Sequence, residues 1–78
     1  MRFEQLECLL AVEETGSFVA AAQKLFLTQQ AVSVSMKQLE QETGQQLFVK
    51  RKNKTTLTYH GEKLLEFSYR TLQENMIY

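Results

Sequence analysis

Gln29, Gln30, Ser33, Val34 and Lys37 stand in one run, Thr28-Gln-Gln-Ala-Val-Ser-Val-Ser-Met-Lys37, whose apolar members repeat at helical spacing. With Val32, Met36, Leu39 and Thr43 turned inward, Gln30, Ser33, Val34, Lys37 and Gln41 fall on the opposite side at about 100° per residue. Gln29 lies in the exposed first turn. These side chains suit the edges of base pairs. A glutamine amide both donates and accepts, so it can bridge adenine N6 and N7 in the major groove, and short neighbours let the helix backbone come close. Ser33 and Thr28, with the helix N-terminus, suit phosphate oxygens, and Lys37 suits phosphate or guanine. Val34 has two readings: an apolar partner for a thymine methyl group, or an exposed valine of the kind protein surfaces commonly carry.

The elements that must hold this set are marked by caps and stripes. Ser17 and Thr28 each precede a helical pattern and can accept the N–H groups that a helix start leaves unpaired. The first pattern puts Phe18, Ala21, Ala22 and Leu25 on one face. The sequence thus predicts helices over about 18–25 and 29–43, with only Phe26 and Leu27 between Leu25 and the cap Thr28 and with Gly44 as the stop: a helix-turn-helix whose second helix projects like a probe. Ahead of it, Phe3, Leu6, Leu9 and Leu10 predict a first helix over about 3–14, with Gly16 as a left-handed C-terminal cap. Beyond Gly44, Leu47-Phe48-Val49 and Thr55-Thr56-Leu57-Thr58 flank the polar tip Lys50-Arg51-Lys52-Asn53-Lys54, which predicts a short hairpin with a basic tip. Next to a helix-turn-helix this is a wing, placed along the sugar-phosphate backbone or in the minor groove. Thr58 caps a final long helix. On it Leu65, Tyr69, Leu72 and Met76 form one stripe while Leu64 and Phe67 lie well away from it. One helix with two apolar faces suggests a dimer seam; the alternative is that both faces pack within one chain or against a further domain.

At 78 residues the chain has room for one domain with a thin core, burying roughly 60% of the surface its unfolded form exposes. The apolar fraction of 44% and the absence of proline favour a folded, helix-rich chain, and no run of uncharged apolar residues reaches the ~18 of a membrane span. No signal-peptide core opens the sequence, so the expected compartment is the cytoplasm. Nine basic and nine acidic residues cancel, which taken alone argues against a nucleic-acid partner. Their distribution argues for one. No acid lies between Glu14 and Glu40 or between Glu42 and Glu62, whereas Lys24, Lys37, Lys50, Arg51, Lys52 and Lys54 do. Segregation of this kind gives a neutral molecule a positive face. One cysteine, one histidine and no aspartate assemble neither a nucleophile–base pair nor a metal cluster, so no enzyme, metal or cofactor is expected. Cys8 is expected near the core as a small helix residue, and His60 on the surface without a role.

Gly16-Ser17-Phe18, Ala21-Ala22, Leu25, Thr28-Gln29, Ala31-Val32-Ser33, Leu39-Glu40, Gly44, Leu47-Phe48, and Leu57-Thr58 with Gly61 resemble the N-terminal domain of LysR-type transcriptional regulators, over about residues 1–72. The resemblance implies a mainly α fold, a winged helix-turn-helix with three helices, a short β-hairpin wing and a long C-terminal linker helix. It divides the chain into a DNA-binding domain, 1–58, and a linker and dimerisation helix, 59–78. It further implies a bacterial regulator that binds an interrupted inverted repeat in double-stranded DNA as a homodimer, often assembling into tetramers, with a C-terminal domain that senses a small-molecule inducer. That effector domain is absent from these residues, so the chain reads as an isolated or truncated DNA-binding module. The expected base contacts are Gln29, Gln30, Ser33, Val34 and Lys37; the expected backbone contacts are Ser17, Thr28, Lys50, Arg51, Lys52 and Lys54; the expected dimer contacts are Leu65, Tyr69, Leu72 and Met76. Gln30 stands where the family often has proline, Val34 where arginine is common, and Lys50 where arginine is usual. Losing a bidentate guanine reader at the groove face favours A/T-rich half-sites. The competing function is a winged-helix module that binds proteins and not DNA, since this architecture serves both.

Overall fold

Local caps set the helix boundaries. In the computed structural model, which describes residues 2–77 and the side chains of 2–70, α1 spans Phe3–Thr15, α2 Phe18–Leu25 and α3 Gln29–Thr43. Strands β1, Phe48–Arg51, and β2, Lys54–Leu57, follow, and α4 covers Tyr59–Ile77. Ser17 Oγ accepts the Ala20 N–H at 2.9 Å and Thr28 Oγ1 the Ala31 N–H at 3.1 Å, so both expected caps are formed. Thr58 is used twice. Its hydroxyl accepts the Gly61 N–H at 3.1 Å, starting α4, and donates to the Gln46 carbonyl, tying α4 to the entrance of the wing. Gly16 closes α1 at φ 80° and donates to the Val12 carbonyl at 2.8 Å. The turn after α2 is made by Phe26, at φ 58° and 95% exposed. An aromatic residue held in the left-handed region is uncommon, and here it ends α2 and turns the chain, so that only Phe26, Leu27 and Thr28 lie between α2 and α3.

The core is where the helical stripes meet. Leu9 and Val12 from α1, Ala21 and Ala22 from α2, Val32, Met36 and Leu39 from α3, and Leu47 are buried together, with Phe18, Leu25, Phe48, Leu57 and Leu64 packed around them. Phe3 and Thr43, expected on the inward stripes of α1 and α3, are instead exposed. Phe3 lies at the start of α1, and the Thr43 hydroxyl donates to the Leu39 carbonyl at 3.0 Å. The hydroxyl thus finds its acceptor in the preceding turn of its own helix and needs no partner in the core. Cys8 is buried as expected; burial pushes its thiol pKa up, against a hydrogen bond with Ser35 that lowers it.

The wing is anchored at both ends. β1 and β2 pair antiparallel from Phe48↔Leu57 to Arg51↔Lys54, leaving Lys52 and Asn53 as a two-residue turn with φ of 50° and 65°. Positive φ at both central positions is the conformation whose twist matches that of the strands. The Gly16 carbonyl accepts the Thr55 N–H at 2.9 Å, the Leu47 carbonyl accepts the Thr58 N–H at 3.0 Å, and Glu40 Oε2 accepts the Leu47 N–H at 2.8 Å. Glu40 thereby joins the last turns of α3 to the start of the wing. Removing it in Glu40→Ala leaves the buried Leu47 backbone without its charged acceptor and is expected to cost about 1.5–3 kcal/mol in urea denaturation; a cost below about 0.5 kcal/mol would mean that water replaces it.

Candidate nucleic-acid interface

The N-termini of α2 and α3 and the wing open onto a common groove of about 430 Å³. Ser17 enters it from α2, Gln29 from α3, and Lys50, Asn53 and Thr55 from the hairpin, with Gln46 at one end. The edge-to-face pair of Phe18 and Phe48, whose ring centroids lie 5.0 Å apart, also lines it. Three separate segments that the sequence marked for nucleic acid therefore converge on one place: a cap, a probe helix and a basic hairpin.

Along α3 the expected base readers are on the open side. Gln29, Gln30 and Lys37 are exposed, Val34 is 46% exposed and Ser33 is half-buried. Lys37 and Gln41 continue this face into a second, shallower depression that also takes in Glu40, Gly44, Gln45 and Gln46. The expected backbone contacts Lys50, Arg51, Lys52 and Lys54 are all exposed on the wing, and Thr28 is exposed at the start of α3. Ser17 is half-buried. Its capping role occupies oxygen lone pairs and leaves the hydroxyl proton available to a phosphate, and the same holds for Thr28.

Charge on this surface differs from the tally along the chain in one respect. Lys24 Nζ lies 2.8 Å from Glu14 Oε1, so this lysine is matched by an acid from α1. The exposed cations on this side are those of the wing, Lys50, Arg51, Lys52 and Lys54, and Lys37 on α3. Of the ten residues that line the groove, only Ser17, Gln29 and Lys50 were expected contacts; Val19, Gln46, Val49, Asn53 and Thr55, with the Phe18–Phe48 pair, were not. Val19 had a signal, since it is apolar yet off the Phe18, Ala21, Ala22 and Leu25 stripe. The others become neighbours only when the hairpin folds back on α2.

On α4 the two apolar faces separate. Gly61 and Ser68 are buried and Leu64 packs against the core, so that side faces the chain's own domain. Leu65 is half-buried and Tyr69 is 44% exposed on another side. The remaining two members of that stripe, Leu72 and Met76, lie outside the residues whose side chains are described. Among the described residues no group of three or more His, Cys, Asp or Glu could hold a metal ion, and no helix is long and apolar enough to cross a membrane.

Four helices, with the capped α3 third among them, and a two-stranded hairpin define the class: a winged helix-turn-helix module of the kind that DNA-binding transcription regulators carry. The chain belongs to the lysR family of bacterial regulatory helix-turn-helix proteins, whose family model matches residues 3–62. It is 43% identical over 74 residues to the HTH-type transcriptional regulator CfxR of Cupriavidus necator, covering 95% of this chain and 23% of the relative. It is 47% identical, again over 74 residues, to a probable nitrogen assimilation transcriptional activator of Synechococcus elongatus, covering 95% of this chain and 24% of that one. The chain thus spans about a quarter of the length of these curated relatives. Among solved structures, the CbnR DNA-binding domain in complex with DNA superposes with a TM-score of 0.91 at 33% identity, over 96% of this chain and 86% of that one. The BenM DNA-binding domain bound to benA site 1 DNA gives a TM-score of 0.89 at 29% identity, over 99% and 89%.

Proposed function

We propose that the chain is the DNA-reading part of a transcription regulator, with residues 1–58 on the duplex and 59–78 pairing two copies. The convergence of Ser17, Gln29 and Lys50 on one groove carries this reading, because it aligns the probe helix with the wing on one side of the domain. α3 enters the major groove and its exposed Gln29, Gln30, Val34 and Lys37, with Ser33, meet base edges. Thr28, Ser17 and the wing cations Lys50, Arg51, Lys52 and Lys54 hold the phosphates on either side. The outward Leu65 and Tyr69, continued in sequence by Leu72 and Met76, support a homodimer through α4, and a two-fold pair of readers calls for an inverted repeat. With no arginine on the outward face of α3 to clamp guanine, the half-sites are A/T-rich. The chemistry of the site is recognition, carried out in the cytoplasm where the DNA lies; an inducer would act through parts of the regulator beyond these residues.

Fluorescence anisotropy with duplex DNA over a salt series tests the reading. Binding built on several phosphate contacts weakens linearly in log K against log salt, and no measurable binding even at low salt would favour a protein-binding module instead. A site for finer work comes from unbiased selection among random duplexes, where guanine-dominated half-sites would refute the A/T preference. On the selected site Gln29→Ala is expected to cost about 1–3 kcal/mol and on random DNA almost nothing. Equal losses on both would remove Gln29 from the base readers.

A further inference from the structure

Leu47 is buried at the meeting point of α3, the wing and α4, and both of its backbone groups are taken. Its N–H donates to Glu40 Oε2 at 2.8 Å, from the last turns of α3. Its carbonyl accepts the Thr58 N–H at 3.0 Å, from the residue that caps α4. A further tie lies beside these, where the Thr58 hydroxyl donates to the Gln46 carbonyl. The first turn of α4 presses on the same spot, because Gly61 stands so close to the Leu47 carbonyl that no side chain fits there. α3 and α4 are thus joined through one residue, although the whole wing separates them in the chain. Farther along α4 the hold is of another kind. Leu64 packs on the core, and Ser68, though buried, gives its hydroxyl to the Leu64 carbonyl of its own helix at 2.8 Å. Apolar packing is non-directional, whereas hydrogen bonds fix angle as well as distance.

We propose that this joint sets the tilt of α4 against α3, and thereby the half-site spacing that a pair of these domains accepts, an inference that rests on the pairing through α4 proposed above. Glu40 and Thr58 are its positioning residues; neither is among the expected DNA contacts. Leverage makes them matter. With 19 residues α4 is about 28 Å long. A tilt of about 10° at its start swings its far end by about 5 Å, which exceeds the rise of about 3.4 Å per base pair. In a two-fold pair the swing occurs in both members. A change at the joint therefore shifts the second α3 off its half-site while the first is read normally.

Duplexes carrying the selected half-site as an inverted repeat, with the spacer changed one base pair at a time, test the joint. The wild-type chain is expected to favour one spacer over its neighbours by about tenfold. Thr58→Val removes the hydroxyl and keeps the branched shape; Glu40→Ala removes the carboxylate. Each is expected to reduce the preference to about threefold or less, while Thr58→Ser keeps the wild-type profile. A duplex with a single half-site separates positioning from folding. A variant with a loosened joint binds that duplex as the wild type does, whereas one that is only less folded loses affinity there and at every spacer by the same factor. Such a uniform loss, or an unchanged spacer profile in both variants, would overturn the joint. A wild-type chain that sediments as a monomer on the repeat, or shows no spacer preference, would overturn the pairing through α4 itself, and that arm is read before any variant is made.

Discussion

Gly61→Ala is expected to lower the stability of the domain by about 2–3 kcal/mol, and the thermal midpoint by roughly 10 °C or more. In an exposed helix the same change helps, because alanine loses less backbone freedom than glycine by about 1 kcal/mol. Here the added methyl has no place to go. A Cβ at Gly61 would overlap the Leu47 carbonyl oxygen, and it would stand 3.0 Å from the carbonyl carbon and 3.2 Å from Leu57 Cβ. These are backbone and core atoms, which cannot swing aside as the end of a lysine can. That same Leu47 carbonyl accepts the Thr58 N–H, and the Leu47 N–H is held by Glu40, so relief at Gly61 requires moving the wing or the first turn of α4. The loss is a large part of what a domain of this size has, on the order of 4–12 kcal/mol. Circular dichroism through a thermal melt measures it; a midpoint within about 2 °C of wild type would mean that α4 slides on the hairpin at little cost.

The positions that were legible from the sequence are those whose cause is local. α2 and α3 begin where Ser17 and Thr28 bond to N–H groups three residues on, and α3 stops at Gly44, all within reach of a pattern search. The wing was legible as two short runs around a basic tip containing Asn53. Thr43 was misplaced because periodicity alone extends a stripe to the end of a helix, whereas the last turn can satisfy itself through its own side chain. Pairings between distant residues were not legible: Glu40 to the Leu47 backbone, Gly16 to Thr55, Phe18 to Phe48, Lys24 to Glu14. None of these follows from spacing, because each depends on how the hairpin and helices lie on one another. Gly61 shows the same division. Its place in a family pattern was visible in the sequence, but the reason, a helix start pressed against the Leu47 carbonyl, exists only in three dimensions.

Neutralising the outer wing with Arg51→Gln, Lys52→Asn and Lys54→Gln is expected to reduce the salt slope by about 3 and to weaken binding to all duplexes on the order of a hundredfold at physiological salt. The replacements follow the local geometry. Lys52 has φ 50°, where asparagine is tolerated, and the stem of Lys54 lies within van der Waals reach of Gly16, where glutamine keeps much of the cover. Arg51 and Lys54 are direct cross-strand partners, and like charges placed opposite each other work against the hairpin by a few tenths of a kcal/mol or more. The free protein carries this repulsion without any described acid beside it on the wing. A phosphate chain would remove it, so the charges that slightly oppose folding favour binding. The triple variant should therefore melt no lower than wild type while binding far more weakly, whatever the base sequence. A wing that only shields the core would give the reverse, a lower midpoint with an unchanged salt slope, and would leave α3 alone to hold the DNA.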